Sequence, residues 1–265
     1  MSEKRKSYFT DVFIRDEFIK LVSSSFTIPK EYRPYFADGI KKFQNTPDKP
    51  LTDKTVEKMV ATEQSLNQFI KSMQKEKDPQ RQINEKFGHW KGYFAEWVTC
   101  LEYNSLKNKG NVIMTIVNPD TTSKADLLHL VKTRDGYQVI AGPDVKTGSS
   151  EYVLTSYERL LREKTEIPFL DVFGYLTYNE KELGKAQKDR LEKAKKEYPN
   201  KKPLPGLFSK TDFHRLIVDY LAFEKTGHLP SERVPGDFKL PKSTITISDI
   251  IDLSLSRKVS NLTGQ

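Results

Sequence analysis

Between residues 82 and 140 the spacing of apolar residues changes period once, and that change constrains the fold more than any other feature of the chain. From Gln82 to Leu106 the aromatic residues Phe87, Trp90, Tyr93, Phe94 and Trp97 recur at helical intervals, and Lys109-Gly110 stops the run. Three short runs rich in β-branched residues follow, Val112 to Val117, Leu127 to Val131 and Tyr137 to Ile140, divided by Asn118-Pro119-Asp120 and by Arg134-Asp135-Gly136. The second break is short enough for a hairpin. A long helix handing over to consecutive strands predicts helices packed on a sheet.

The flanks read as further helices. Phe9, Val12, Phe13, Phe18, Leu21 and Val22 predict a helix within residues 8–26, a second spans Tyr32 to Phe43, and a long third runs from Asp53 to Met73. Downstream, Ser156 to Arg162 reads as a helix, Phe169 to Tyr178 as a buried strand, Glu180 to Tyr198 as a basic solvent-facing helix, and Phe213 to Phe223 as an apolar helix. Pro199 to Pro205 and Gly227 to Pro241 read as breaks, and Ser248 to Leu255 as a short last helix. The expected class is α/β (α+β), a central mixed sheet flanked by helices. It divides into a helical region 1–80, a core 81–180 and a basic helical region 181–265 packing on that core.

With 44 Lys and Arg against 36 Asp and Glu, the net charge of +8 favours polyanionic partners, nucleic acid before anionic membrane. One cysteine, Cys100, excludes an intramolecular disulfide, and four dispersed histidines at no ligand spacing argue against a zinc cage. Asp11, Arg15, Asp16 and Lys20 interrupt the first apolar stretch, so neither a signal peptide nor a membrane span is expected, and the reading is cytoplasmic.

The chemistry-bearing residues sit where the strands end. Asp126 heads one predicted strand, and Asp144 and Lys146 end the next, two positions apart and therefore on one face. Asp126 followed by Asp144-Val145-Lys146 resembles the PD-(D/E)XK nuclease superfamily, and Gly92-Tyr-Phe-Ala-Glu96-Trp-Val on the preceding helix strengthens the likeness, which covers about Gly88 to Tyr178. The resemblance implies a restriction-endonuclease-like fold and a DNA endonuclease dependent on Mg2+, with Mn2+ able to substitute. It implies Asp126 and Asp144 as metal ligands, Glu96 as a ligand or water-mediated partner, and Lys146 positioning the attacking water. Thr147 and Ser149, around Gly148, are then candidate phosphate contacts. Restriction, phage defence or a toxin role would suit such an enzyme, and cutting both strands of a duplex would favour a homodimer.

Two departures from the pattern matter. Ala125 stands where the family has proline, while Pro119-Asp120 offers a competing first aspartate; Asp126 is preferred because it abuts the apolar strand. Pro143 demands a bulge or a strand end immediately before Asp144. The alternatives are a nuclease fold that binds nucleic acid or assembles without cutting, and a helical interaction protein with incidental acids. Glu102 and Glu151 read as surface charge, the Phe87 to Trp97 aromatics as core, and the basic segment from Lys181 to Lys202 equally as a salt-bridged exposed helix or a phosphate contact.

Overall fold

A computed structural model describes residues 15–45, 48–66, 68, 79–105, 109–163, 165–206, 208, 210, 213, 216, 217, 219, 220, 223 and 227–229, with backbone only over 79–90. The expected final helix, and the portions of the first and third helices near residues 8–14 and 69–73, lie outside the described residues. Helices α1 (Arg15–Val22), α2 (Arg33–Lys42) and α3 (Asp53–Ala61) come first, with a two-residue pairing of β1 (Ser25–Phe26) and β2 (Gln64–Ser65). Then follow α4 (Pro79–Ser105), β3 (Val112–Val117), β4 (Leu127–Thr133), β5 (Gly136–Ala141) and β6 (Asp144–Lys146). Next are α5 (Ser150–Arg162), β7 (Phe169–Asp171), α6 (Lys185–Glu197) and β8 (Leu204–Pro205). Six α-helices and three small sheets are thus seen among the described residues, an α+β architecture.

β3, β4 and β5 form an antiparallel meander, closed between β4 and β5 by a tight turn at Thr133 and Gly136. Alternate residues of β4 enter two cores. Leu127 and Val131 join the cluster built with Phe94 and Trp97 of α4, and Leu128 and Leu130 join Phe36 and Ile40 of α2 with Val56 and Val60 of α3. Both faces of the meander are therefore covered, which explains why β4 is apolar along its length.

The expected single mixed sheet is divided. After β5 the chain passes through Gly142 and Pro143 and resumes as β6, which pairs in parallel with β7, and β7 in turn with β8. Pro143 has no N–H to continue a ladder, so the strand breaks there. Its carbonyl nevertheless accepts from the Asp126 N–H (3.2 Å), and the Gly142 N–H donates to the Leu127 carbonyl (2.8 Å), so the two sheets remain stitched. Gly142 permits this approach: a Cβ there would lie 2.7 Å from Leu127 Cβ and 2.9 Å from its carbonyl oxygen. Gly142→Ala is expected to cost about 1–3 kcal/mol through overpacking, read as a lower urea midpoint at unchanged m-value.

Three further elements differ from expectation. α3 ends at Ala61, where Thr62 is extended and its hydroxyl donates to the Lys58 carbonyl (2.8 Å). Gln64 then clamps the backbone of Val117, donating to its carbonyl (3.1 Å) and accepting from its N–H (3.0 Å), an interaction a continuing helix would forgo. β7 stops at Asp171 instead of reaching Tyr178, because the Asp171 carboxyl accepts from the N–H groups of Phe173, Gly174 and Leu176 and folds the chain into turns. α5 starts at Ser150, earlier than the hydrophobic pattern suggests, since Ser149 caps it.

α6 is not wholly solvent-facing. Leu191 and Ala194 are buried, and Arg190 pairs with Glu151 and Glu158 of α5 (both 2.6 Å), so the salt-bridged reading holds for this part of the basic segment. Glu151 is therefore an ion-pair partner on the surface, whereas Glu102, expected there too, is fully buried beside Tyr103. Beyond α6, Phe213, Leu216, Ile217 and Tyr220 are helical and buried in the core around α4. No helix among the described residues is long and apolar enough to cross a membrane.

Candidate functional site

The stitched break between the sheets lies beside an open cleft of about 540 Å³. Glu96, Asp126, Lys146, Thr147 and Gly148 all line it, together with Asp120. They come from three parts of the chain, and Asp144 lies behind Lys146 without lining the cleft itself. Glu96 comes from the middle of α4, one turn beyond Gly92, where a Cβ would lie 3.9 Å from Glu96 Oε1. Asp126 immediately precedes β4, Asp144 opens β6 and Lys146 closes it, so the two-residue spacing puts the last two on one side as the sequence predicts.

The Lys146 ammonium is the hub. It contacts Asp144 Oδ1 and lies 3.8 Å from Asp126 Oδ2, so one cation is shared by two carboxylates from opposite sides of the break. Asp126 Oδ2 also accepts the Val145 N–H (2.7 Å), and the Asp144 N–H donates to the Pro168 carbonyl (2.8 Å), fixing both acids to the backbone of the neighbouring strand. Asp144 is 4% exposed.

Three acids around one ammonium would carry an excess of negative charge if all were ionised, and in this poorly solvated place two of them resist ionisation. Burial pushes the Glu96 carboxyl up to about 7, with Asp144 adding to the rise and Lys146 opposing it. Burial likewise holds Asp126 well above the usual carboxylate range, with Glu96 and Asp144 raising it further against Lys146 and the Val145 N–H. Burial alone would lower the Lys146 ammonium, but Asp126 and Asp144 more than offset that and keep it charged.

This surplus is what a divalent cation neutralises, and oxygen donors are the ligands that Mg2+ takes. Among the described residues no group of three or more His, Cys, Asp and Glu is disposed to hold a metal. Mg2+ commonly takes one or two carboxylates and fills its octahedron with water, and Asp126 and Asp144 offer carboxylate oxygens of that donor type. The residues fit such an ion on charge and donor type.

Both candidate first aspartates line the cleft, and the buried Asp120 Oδ2 has no hydrogen-bond partner among the described residues. Asp120 Oδ1 accepts from the Thr122 N–H (3.0 Å) and hydroxyl (2.7 Å), closing the turn before Asp126, and Lys146 pairs with Asp126. Asp120 lines the cleft as part of its wall. Ser149, a candidate phosphate contact, is the N-cap of α5, accepting from the Tyr152 N–H (3.2 Å), while Thr147 and Gly148 line the cleft. Tyr152, half exposed, was not singled out from sequence; it stands one turn into α5, and its ring packs where a Gly148 Cβ would be.

The remaining expectations concern packing. Trp97 is fully buried and donates its indole N–H to the Val22 carbonyl (2.8 Å), and Phe94 packs edge-on against Phe213, as expected of core aromatics. His129 is buried, with Nδ1 2.8 Å from the Thr115 hydroxyl and its ring on Tyr103, a structural role. Cys100 is buried and free.

No family model, curated protein or solved structure matches this chain.

Proposed function

We propose that this protein is a metal-dependent DNA endonuclease that hydrolyses phosphodiester bonds in the cleft, on a restriction-endonuclease-like fold. The observation that carries the reading is the sharing of one lysine ammonium by Asp126 and Asp144, which are distant in sequence and meet beside an open cleft. The element order supports the fold: a helix bearing Glu96, an antiparallel meander, and a β6–α5–β7 crossover with parallel strands.

Asp126 and Asp144 would hold the cation, Mg2+ or Mn2+, with Glu96 as a nearby ligand or water-mediated partner. When bound, such an ion supplies Lewis acidity and an acidified water. Lys146, held charged by the aspartates, contributes positive charge toward the phosphoryl oxygens and orients the attacking water by donating to it. Thr147 and the backbone at Gly148 offer donors to the phosphate. The acids alone would repel that phosphate, so the ammonium and the cation together make its approach favourable.

The test is incubation of supercoiled plasmid with Mg2+, with Mn2+ and with EDTA. Nicked or linear product with either metal and none with chelator is the expected result. A mobility shift without any change of topology in all three would replace this reading with the non-cutting nucleic-acid-binding one. Salt is expected to weaken the binding step, because phosphate contacts release condensed counterions, and a titration of affinity against salt concentration reads that slope.

A further inference from the structure

A second hollow, of about 310 Å³, adjoins the cleft. Its lining includes Met59, Thr62, Glu63, Gln64 and Pro119, and Tyr93 and Thr121 line both it and the cleft. Resting on the nuclease reading above, we propose that this hollow is a subsite for an unstacked nucleobase next to the scissile phosphate, so that single-stranded or locally opened nucleic acid is the preferred substrate.

Three observations lead there. The walls combine an aromatic ring, a thioether and a proline ring with amide and hydroxyl groups and the Glu63 carboxylate, which suits a flat heterocycle whose edge offers N–H donors to that acceptor. The hollow is tied by hydrogen bonds to the segment that carries Asp126. Gln64 clamps Val117 through two hydrogen bonds, and the next residue, Asn118, donates its N–H to the Asp126 carbonyl (2.8 Å). A phosphate at Asp126 and a base beside Met59 would therefore be placed by neighbouring segments joined through these hydrogen bonds. Finally, the cleft carries a second aromatic in Tyr152, 51% exposed, so a strand crossing the cleft meets rings on two elements. Aromatic platforms of this sort bind unpaired bases with little regard to sequence.

The test fills the hollow and then removes the base. Cleavage positions on an end-labelled single-stranded DNA oligonucleotide are mapped with the wild-type protein, and the oligonucleotide is remade with an abasic nucleotide on either side of the scissile phosphate. Met59→Trp, which leaves the catalytic acids untouched, is expected to lower kcat/KM on the intact strand by about tenfold. On the abasic strand it should match the wild-type protein. Thr62→Trp, from an exposed position on the same hollow, serves as the second variant if Met59→Trp does not fold. The wild-type protein should also cut the single strand faster than the perfectly paired duplex.

Equal losses on intact and abasic strands, no loss on either, or faster cutting of the paired duplex would overturn the subsite. Should the wild-type protein cut no nucleic acid with Mg2+ or Mn2+, the nuclease reading itself falls. The subsite is then read by the fluorescence of 2-aminopurine in a single-stranded oligonucleotide in EDTA. A change in that fluorescence on adding the wild-type protein that is lost in Met59→Trp supports it, and absence of any change overturns it.

Discussion

Asp144→Ala and Lys146→Ala are each expected to lower Mg2+-dependent strand cleavage by about a thousandfold, the effect of losing several kcal/mol of transition-state stabilisation at the reacting phosphate. The two should differ in how they respond to metal. Asp144→Ala removes a proposed ligand, so raising the Mg2+ concentration should recover part of the lost rate if ion binding has weakened. Lys146→Ala removes the shared cation and leaves Glu96, Asp126 and Asp144 with no compensating charge from that residue. That variant should gain more thermal stability from added Mg2+ than the wild-type protein does, since an ion bound only by the folded state stabilises it by mass action. Single-turnover cleavage and thermal melts across a Mg2+ series measure both. Undiminished cutting by either variant removes these residues from the chemistry.

Asp171→Ala is expected to destabilise the fold by about 3–5 kcal/mol, more than any surface change, because it orphans three buried backbone N–H groups at once. Asp171 is fully buried; its Oδ1 accepts from Phe173 (3.1 Å) and Gly174 (3.0 Å) and its Oδ2 from Leu176 (2.8 Å). Its backbone carbonyl takes the Gly206 N–H (2.6 Å), tying β7 to the chain beyond β8. Burial lifts the Asp171 carboxyl from 3.8 to about 6 despite the opposing pull of these N–H groups. The folded chain therefore holds that proton more tightly than the unfolded chain, and the residue's contribution to stability falls as pH rises from about 4 to about 6. Urea unfolding of the wild-type protein and Asp171→Asn across that window checks the sign: the asparagine variant should lack this part of the slope. A wild-type contribution that grows with pH would show that the N–H groups outweigh burial.

Much of the core was legible because period is a local property. The switch from helical spacing to β-branched runs located α4 and the meander, and the glycine of Arg134-Asp-Gly136 located the hairpin. Pro143 signalled a break before Asp144, and the break is there. What the pattern missed was decided by side chains far away or by caps. Gln64 cannot be seen from sequence to clamp Val117, 53 residues on, yet that contact accompanies the end of a helix whose apolar spacing continues. Ser149 was read for its hydroxyl as a phosphate donor, although a serine before a helical stretch is first a cap. Asp171 looked like one residue in an apolar strand, and only its three backbone partners explain why the strand stops.

The candidate site was legible for the same reason that it was incomplete. Alternation along a strand puts Asp144 and Lys146 together and the resemblance adds Glu96 to them, but nothing in the sequence says that a side hollow would open beyond Tyr93. That depends on how α3 and α4 pack against the meander.

The hydrogen bond from Val145 N–H to Asp126 gives this acid two employments, since the same oxygen that faces Lys146 also fastens one sheet to the other. Anything that seizes that oxygen competes with a structural seam. The grip on an ion and the closeness of the sheets should therefore rise and fall against each other, and hydrogen exchange at the Val145 amide would register, from within the framework, the moment a ligand arrives.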